Sequence, residues 1–135
     1  MIVVDASAVL ELLLGTPLAA QIAERVLDPH ESVHAPHLLD IEVAQVLRRL
    51  VRQRTLAETR GIEALVDLED LGVVRHSHLP TLRRIWGLRH SVTAYDGAYI
   101  ALAEGMDAPL LTCDAKLARA HGHGAKIELI SSRAG

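Results

Sequence analysis

Aromatic residues are nearly missing from this sequence: there is no phenylalanine, one tryptophan (Trp86) and two tyrosines (Tyr95 and Tyr99). Recognition of single strands by base stacking needs several aromatic faces, so a nucleic-acid role would have to rest on contacts to phosphate and to shape. Cysteine is as scarce. Cys113 stands alone, which excludes an internal disulfide, and no Cys/His spacing of the structural-zinc kind accompanies it. A reducing cytoplasm is the compartment such usage suits. Half of the residues are hydrophobic, but the apolar stretches are short and broken by charges, well below the ~20 apolar residues of a membrane helix. No basic leader precedes Ile2-Val3-Val4, so the start does not resemble a secretory signal. Excess positive charge is absent too. Fourteen basic and 17 acidic side chains leave a net charge of −3, so any affinity for nucleic acid must be local.

What is present is an alternation of short apolar runs with longer amphipathic ones. Ile2-Val3-Val4 is a β-branched run leading into a helix from Asp5 to Leu14 that Gly15 ends. Pro17 to Leu27 reads as a helix stopped by Asp28-Pro29, and Ser32 to Ala35 as a strand before Pro36. A broad apolar stripe marks Leu38 to Arg52 as helix. Thr55 with Glu58 makes a capping box for another that ends near Leu71-Gly72. Val73-Val74 is a strand candidate, Leu79 to Leu88 and Thr93 to Glu104 are helices, and Gly105 closes the second. Pro109 to Thr112 is a strand, Asp114 to His121 a short helix and Ile127 to Ile130 the last strand. Without hairpin signals between the strands, this order predicts an α/β fold, a three-layer αβα sandwich around a central parallel sheet, in one domain over residues 1–135. Ligands bind beyond the carboxyl ends of such strands, where Asp5 and Asp114 fall.

Two more acids demand a reason. Glu42 lies between Ile41 and Val43, one turn from Val46, on the apolar side of its helix; Asp96 sits in the first turn of the helix that begins at Thr93. Four carboxylates converging on one pocket repel: at about 5 Å and an effective dielectric of about 20, each pair costs about 3 kcal/mol. A cation or protonation relieves that. Oxygen-only ligands favour magnesium or manganese over zinc, and the chemistry that follows is hydrolysis of a phosphodiester.

The segments Val3-Val4-Asp5-Ala6-Ser7, Leu39-Asp40-Ile41-Glu42-Val43-Ala44, Tyr95 to Ala103 and Leu111-Thr112-Cys113-Asp114-Ala115-Lys116-Leu117 stand in the order and spacing of a known family. Over nearly its whole length the chain resembles the PIN-domain nucleases, and within them the VapC-type toxins of prokaryotic toxin–antitoxin pairs. The resemblance implies the αβα sandwich, endonucleolytic cleavage of RNA, and Asp5, Glu42, Asp96 and Asp114 as catalytic, metal-binding acids for Mg²⁺ or Mn²⁺. It implies Ser7 and Thr112 as supporting hydroxyls. It also implies a homodimer and a cognate VapB-type antitoxin whose tail covers the acidic pocket.

Plainer roles exist for each residue. Asp5 and Asp114 suit helix caps, Asp96 a first-turn anion and Glu42 a half-exposed helix position. Asp40 lies roughly 200° around the helix from Glu42 and is peripheral; Glu11 and Asp107 read as solvated, and His121-Gly122-His123 as a turn rather than a metal pair. Arg48, Arg49, Arg52 and Arg54, with Arg83, Arg84 and Arg89, are either an RNA-binding surface or a solvated face. Leu12 to Leu14 and Ile62 to Leu71 are either core or a groove for a partner. Two rival functions share the fold class: a catalytically silent RNA- or protein-binding module, and a receiver-type signalling domain. The second requires paired acids after the first strand, where this chain has Asp5 alone.

Overall fold

The computed structural model describes residues 1–132. β1 (Ile2–Val4) runs into α1 (Ala6–Leu13) through Asp5, whose side chain caps the helix by accepting from the Ala8 N–H. The left-handed Gly15 (φ 63°) turns the chain into α2 (Ala19–Val26). β2 (Val33–Pro36), α3 (Leu38–Arg52), α4 (Glu58–Asp70) and β3 (Val74–His76) follow. A 3₁₀ turn at Leu79–Thr81 precedes α5 (Leu82–Gly87) and the long α6 (Ala94–Met106); β4 (Leu110–Thr112), α7 (Ala115–Ala118) and β5 (Ile127–Leu129) complete the order.

The five strands pair in the order β3-β2-β1-β4-β5, all parallel. The order reverses between β1 and β4. A receiver-type sheet, ordered 2-1-3-4-5, is excluded by it. Alternate residues of the central strands serve opposite faces, as pleating requires. Ile2, Val4 and Leu111 join a core with Ala8, Val9, Ile22, Leu39, Val43 and Leu68 from α1 to α4. Val3 and Leu110 join the other with Leu88, Tyr99, Ile100 and Leu117 from α5 to α7. The result is the expected three-layer αβα sandwich. Among the described residues no helix is long and apolar enough to cross a membrane.

Three boundary expectations fail for local reasons. Thr55 and Glu58 form no capping box. Arg54 takes a left-handed turn (φ 59°) and the Thr55 and Leu56 N–H groups both donate to the Leu50 carbonyl at 2.9 and 3.2 Å, so this segment closes α3 and α4 starts behind Ala57. Gly105 does not end α6; the helix runs through it to Asp107, which adopts the left-handed conformation (φ 51°) that aspartate tolerates. The third strand begins at Val74 rather than Val73. Ile41, counted with the apolar stripe, is 69% exposed. Leu13, Ala64 and Leu68 are core, while Ile62, Leu65 and Val66 face outward. Asp40 is structural, its carboxylate held by Arg75 of β3 through two hydrogen bonds of 2.8 and 2.9 Å.

Buried His34 contacts His76 Nε2 through Nδ1 and Ser32 Oγ through Nε2, both at 2.9 Å. Burial pushes its pKa below the ordinary 6.5, helped by His76. The unfolded chain therefore takes up this proton first as pH falls, so the stability His34 contributes is present above pH 6.5 and lost below it. Urea unfolding at pH 7.5 and 5.5 should show the wild type losing more stability over that interval than His34→Gln. Equal losses would refute the assignment.

Candidate active site

Register builds the centre of the site. Val4 pairs with Leu111, so the next residues, Asp5 and Thr112, emerge side by side at the carboxyl ends of β1 and β4. These strands flank the reversal in strand order, where a doubly wound sheet leaves its crevice. Asp5 is only 5% exposed. Ser7 Oγ donates to its Oδ1 at 2.7 Å, the Ala8 N–H donates to the same oxygen at 3.0 Å, and Thr112 Oγ1 donates to Oδ2. Each hydroxyl has one proton. Both protons go to Asp5, so the 3.2 Å between the two hydroxyl oxygens is proximity rather than donation. The hydroxyls also accept: Ser7 from the Cys113 N–H at 2.9 Å and Thr112 from the Asp114 N–H at 3.0 Å. Two small side chains thus lock the turn bearing Asp114 against the strand end bearing Asp5.

Asp114 caps α7, accepting from the Lys116 N–H at 2.9 Å. Glu42 sits half-buried at the margin of the α3 stripe formed by Leu39, Val43 and Leu47. Its Oε1 accepts a 2.6 Å hydrogen bond from Tyr99 Oη. Tyr99 belongs to α6, three residues after Asp96 and on the same helix face. Asp96 lies in the first turn, where the capping Thr93 hydroxyl accepts its backbone N–H at 3.2 Å.

The charges of the four acids bear on one another in a ring. Burial raises the Asp5 pKa against the pull of its three donors, and Asp114 adds to the rise. Glu42 is raised by burial and by Asp96 and Asp5, with Tyr99 opposing. Asp96 is raised by burial and by Asp114, with Lys116 opposing. The Tyr99 phenol is pushed upward by burial and by its bond to Glu42, which keeps it a donor at any working pH. Among the described residues no three acid, histidine or cysteine side chains are drawn tightly enough together to hold an ion. The ring is therefore open. An all-oxygen set of this kind fits a hard divalent cation that keeps several waters, with substrate oxygens completing its shell.

Hydrogen bonds thus join Asp5, Ser7, Thr112 and the turn bearing Asp114, while Glu42 and Asp96 bear on them through charge alone. The roles of Tyr99 and Lys116 went unassigned there; the spacing of Tyr99 from Asp96 was the available signal. Burial, with Asp5 and Glu11 adding to it, pushes the Cys113 thiol up to about 11. His123 hydrogen-bonds the backbone of its own turn, at Ala120 and Ala125. Arg84 is removed from the candidate RNA surface: its guanidinium is bound by Glu104 at 2.7 and 2.9 Å. Glu11 lines an apolar cleft of about 650 Å³ with Leu10, Ile41, Glu42 and Tyr95, rather than standing free in solvent.

Comparison with known proteins gives the family and the fold of the chain. The PIN domain profile matches residues 2–122. The chain is 44% identical to Ribonuclease VapC12 of Mycobacterium tuberculosis over 131 residues, covering 97% of this chain and 100% of that protein. It is 43% identical to Ribonuclease VapC1 of the same species, covering 95% and 96%. Among solved structures it is similar to VapBC2 from Rickettsia felis bound to a DNA fragment from their promoter, with TM-score 0.70, 11% identity and coverage of 97% and 100%. A Pyrobaculum aerophilum protein gives TM-score 0.67 and 22% identity over 93% of this chain and 81% of its own.

The opposing contributions at Glu42 make a direct test. Tyr99→Phe removes the donor that favours the carboxylate while leaving the burial in place, so the Glu42 pKa should climb further above its ordinary value. Carboxyl NMR titration reads this. No movement at Glu42 would show that the phenol does not hold it.

Proposed function

The chain belongs to the PIN domain family, and from that membership we propose that it is an endoribonuclease, the toxin of a toxin–antitoxin pair, that hydrolyses RNA at Asp5, Glu42, Asp96 and Asp114 with a divalent cation. The observation that carries this reading is the switch point of the parallel sheet, where Asp5 and the turn bearing Asp114 leave adjacent strand ends and are tied together through Ser7 and Thr112, with Glu42 and Asp96 bearing on them by charge. The ring of repelling carboxylates costs stability, and the helix caps made by Asp5 and Asp114 do not account for Glu42 and Asp96. Its use is to concentrate negative charge where a cation is wanted.

Mg²⁺ or Mn²⁺ held by these acids would lower the pKa of water and neutralise the scissile phosphate. The protein supplies orientation. Ser7 and Thr112 fix both oxygens of Asp5, so its remaining lone pairs point in set directions, in the way hydroxyl and amide partners orient metal-binding side chains. Tyr99 does the same for Glu42 by engaging one oxygen. In-line attack by water with departure of the 3′-oxygen leaves a 5′-phosphate. The working unit is the whole chain as one domain, in the reducing cytoplasm that a lone unpaired Cys113 suits. Ile41 and Tyr95, 69% and 62% exposed beside Glu42 and Asp96, support a VapB-type antitoxin whose tail covers the acids, and the toxin works as a homodimer.

Purified protein with Mg²⁺ or Mn²⁺ should cut total RNA into discrete fragments, and chelator should stop it. Asp5→Asn and Asp96→Asn should each lower the rate by about a hundredfold or more, while the metal-free Asp96→Asn protein melts above the wild type because one repelling charge is gone. Full activity in either variant would sink the assignment.

Cation binding should also release protons. Raised pKa values leave Asp5, Glu42 and Asp96 partly protonated toward acid pH, and the cation must displace those protons, so affinity rises with pH. Calorimetric titration with Mn²⁺ in two buffers of different ionisation enthalpy should give different apparent heats, increasingly so at lower pH. Identical heats would mean that the acids are already ionised.

A further inference from the structure

A second cleft, of about 790 Å³, opens beside Asp96. One wall is the α5–α6 loop with Arg89, Ser91 and Thr93; the other is α7 and the turn beyond it, with Lys116, Arg119 and His121. Asp96 is the one carboxylate among its lining residues, against three full cations. In a chain of net charge −3 this is a marked local reversal.

The walls are fastened together. Glu104 of α6 receives both bonds from Arg84 and a third from the Gly124 N–H at 2.7 Å, while Arg84 also donates to the Gly122 carbonyl at 3.3 Å. Gly122 itself permits the approach: its backbone is left-handed (φ 78°) and a Cβ there would lie 2.9 Å from Ser91 Oγ. Lys116 and Arg119 are exposed, and neither enters an ion pair among the described residues. Arg89 is steadied at the rim, its guanidinium 4.8 Å from the Trp86 ring centre and donating to the Trp86 carbonyl at 3.0 Å. The cleft on the other side of the acids is mostly apolar. Arg48 and Arg52 line a separate groove with Ile62 and Leu65, with no acid of the ring in it.

We propose that the cleft walled by Arg89, Lys116 and Arg119 is the track along which the RNA backbone leaves the acidic centre, with Lys116 and Arg119 pairing the phosphates that flank the scissile one. The assignment rests on the nuclease reading. A strand whose phosphate sits among Asp5, Glu42, Asp96 and Asp114 must pass out over one side; this side lines its cleft with three cations, whereas the apolar cleft on the other side has Arg49 alone. Lys116 and Arg119 are positioning residues: they hold the strand and leave the chemistry to the acids. Arg48 and Arg52 stand outside the track.

The test compares Lys116→Gln/Arg119→Gln with Arg48→Gln/Arg52→Gln. With a short RNA spanning the wild-type cleavage site, the first pair should raise KM about tenfold, Arg119→Gln alone should raise it several-fold with kcat nearly kept, and the second pair should leave both unchanged. With a fluorescein-labelled single-stranded RNA in chelator, where nothing is cut, the dependence of log K on log[salt] should flatten by about 1.4 for the first pair, at about 0.7 per phosphate lost. An unchanged slope overturns the track, as does equal flattening by the second pair. A wild type that binds RNA with the expected slope yet never cuts it would overturn the nuclease reading and leave the track standing.

Discussion

A carboxylate buried at the end of a central strand is the constraint around which this protein is organised. Asp5 is almost wholly withdrawn from water, and an unpaired charge in such a place would be costly. Three donors from three directions make it tolerable: a hydroxyl from the first turn of its own helix, the backbone of that turn, and a hydroxyl from the neighbouring strand. Each donor fixes a piece of chain. The Ser7 contact sets the start of α1, and the Thr112 contact sets the register of β1 on β4. The acceptor sides of both hydroxyls then set the turn that carries Asp114.

One helix performs a comparable service for the other half of the site. α6 is buried from Gly97 to Ala103, so it has little freedom to rotate or slide. It carries Asp96 as a ring member and, one turn later, the Tyr99 hydroxyl that holds Glu42 on α3. Core packing and catalytic geometry are in this sense the same set of contacts. The repulsion among the acids is offset by apolar burial on both faces of the sheet, which explains how a fold of this size tolerates four coupled carboxylates.

Much of this was legible in the sequence because the elements are short and strongly punctuated. The strand-to-helix junction at Asp5 follows from three β-branched or apolar residues meeting an amphipathic run, and the α3 limits at Leu38 and Arg52 follow from its stripe. The four acids emerged from their order along the chain. The illegible features involve competition or distance. Thr55 had two helices to serve, and the end of α3 won because its carbonyls needed donors at once. Gly105 looked like a stop, but nothing in its own neighbourhood revealed that Asp107 would take the left-handed turn. Arg84 looked like a surface cation because its partner, Glu104, lies 20 residues away on another helix.

The separation of charge around the site bears on how an acidic protein handles an acidic polymer. A uniformly basic surface would attract RNA everywhere and position it nowhere, since phosphate contacts carry affinity without sequence information. Here Asp5 and Asp114 stand at the strand ends, and three cations line the cleft beside Asp96 against one, Arg49, in the cleft beside Glu42. The ring repels RNA until a cation occupies it, and the cations beside it attract phosphate whether or not it is filled. On the proposed track a strand would lie with its backbone along the basic wall and a single phosphate over the acids. Geometry of this kind supplies positioning without aromatic stacking, which the near absence of aromatic residues had already required.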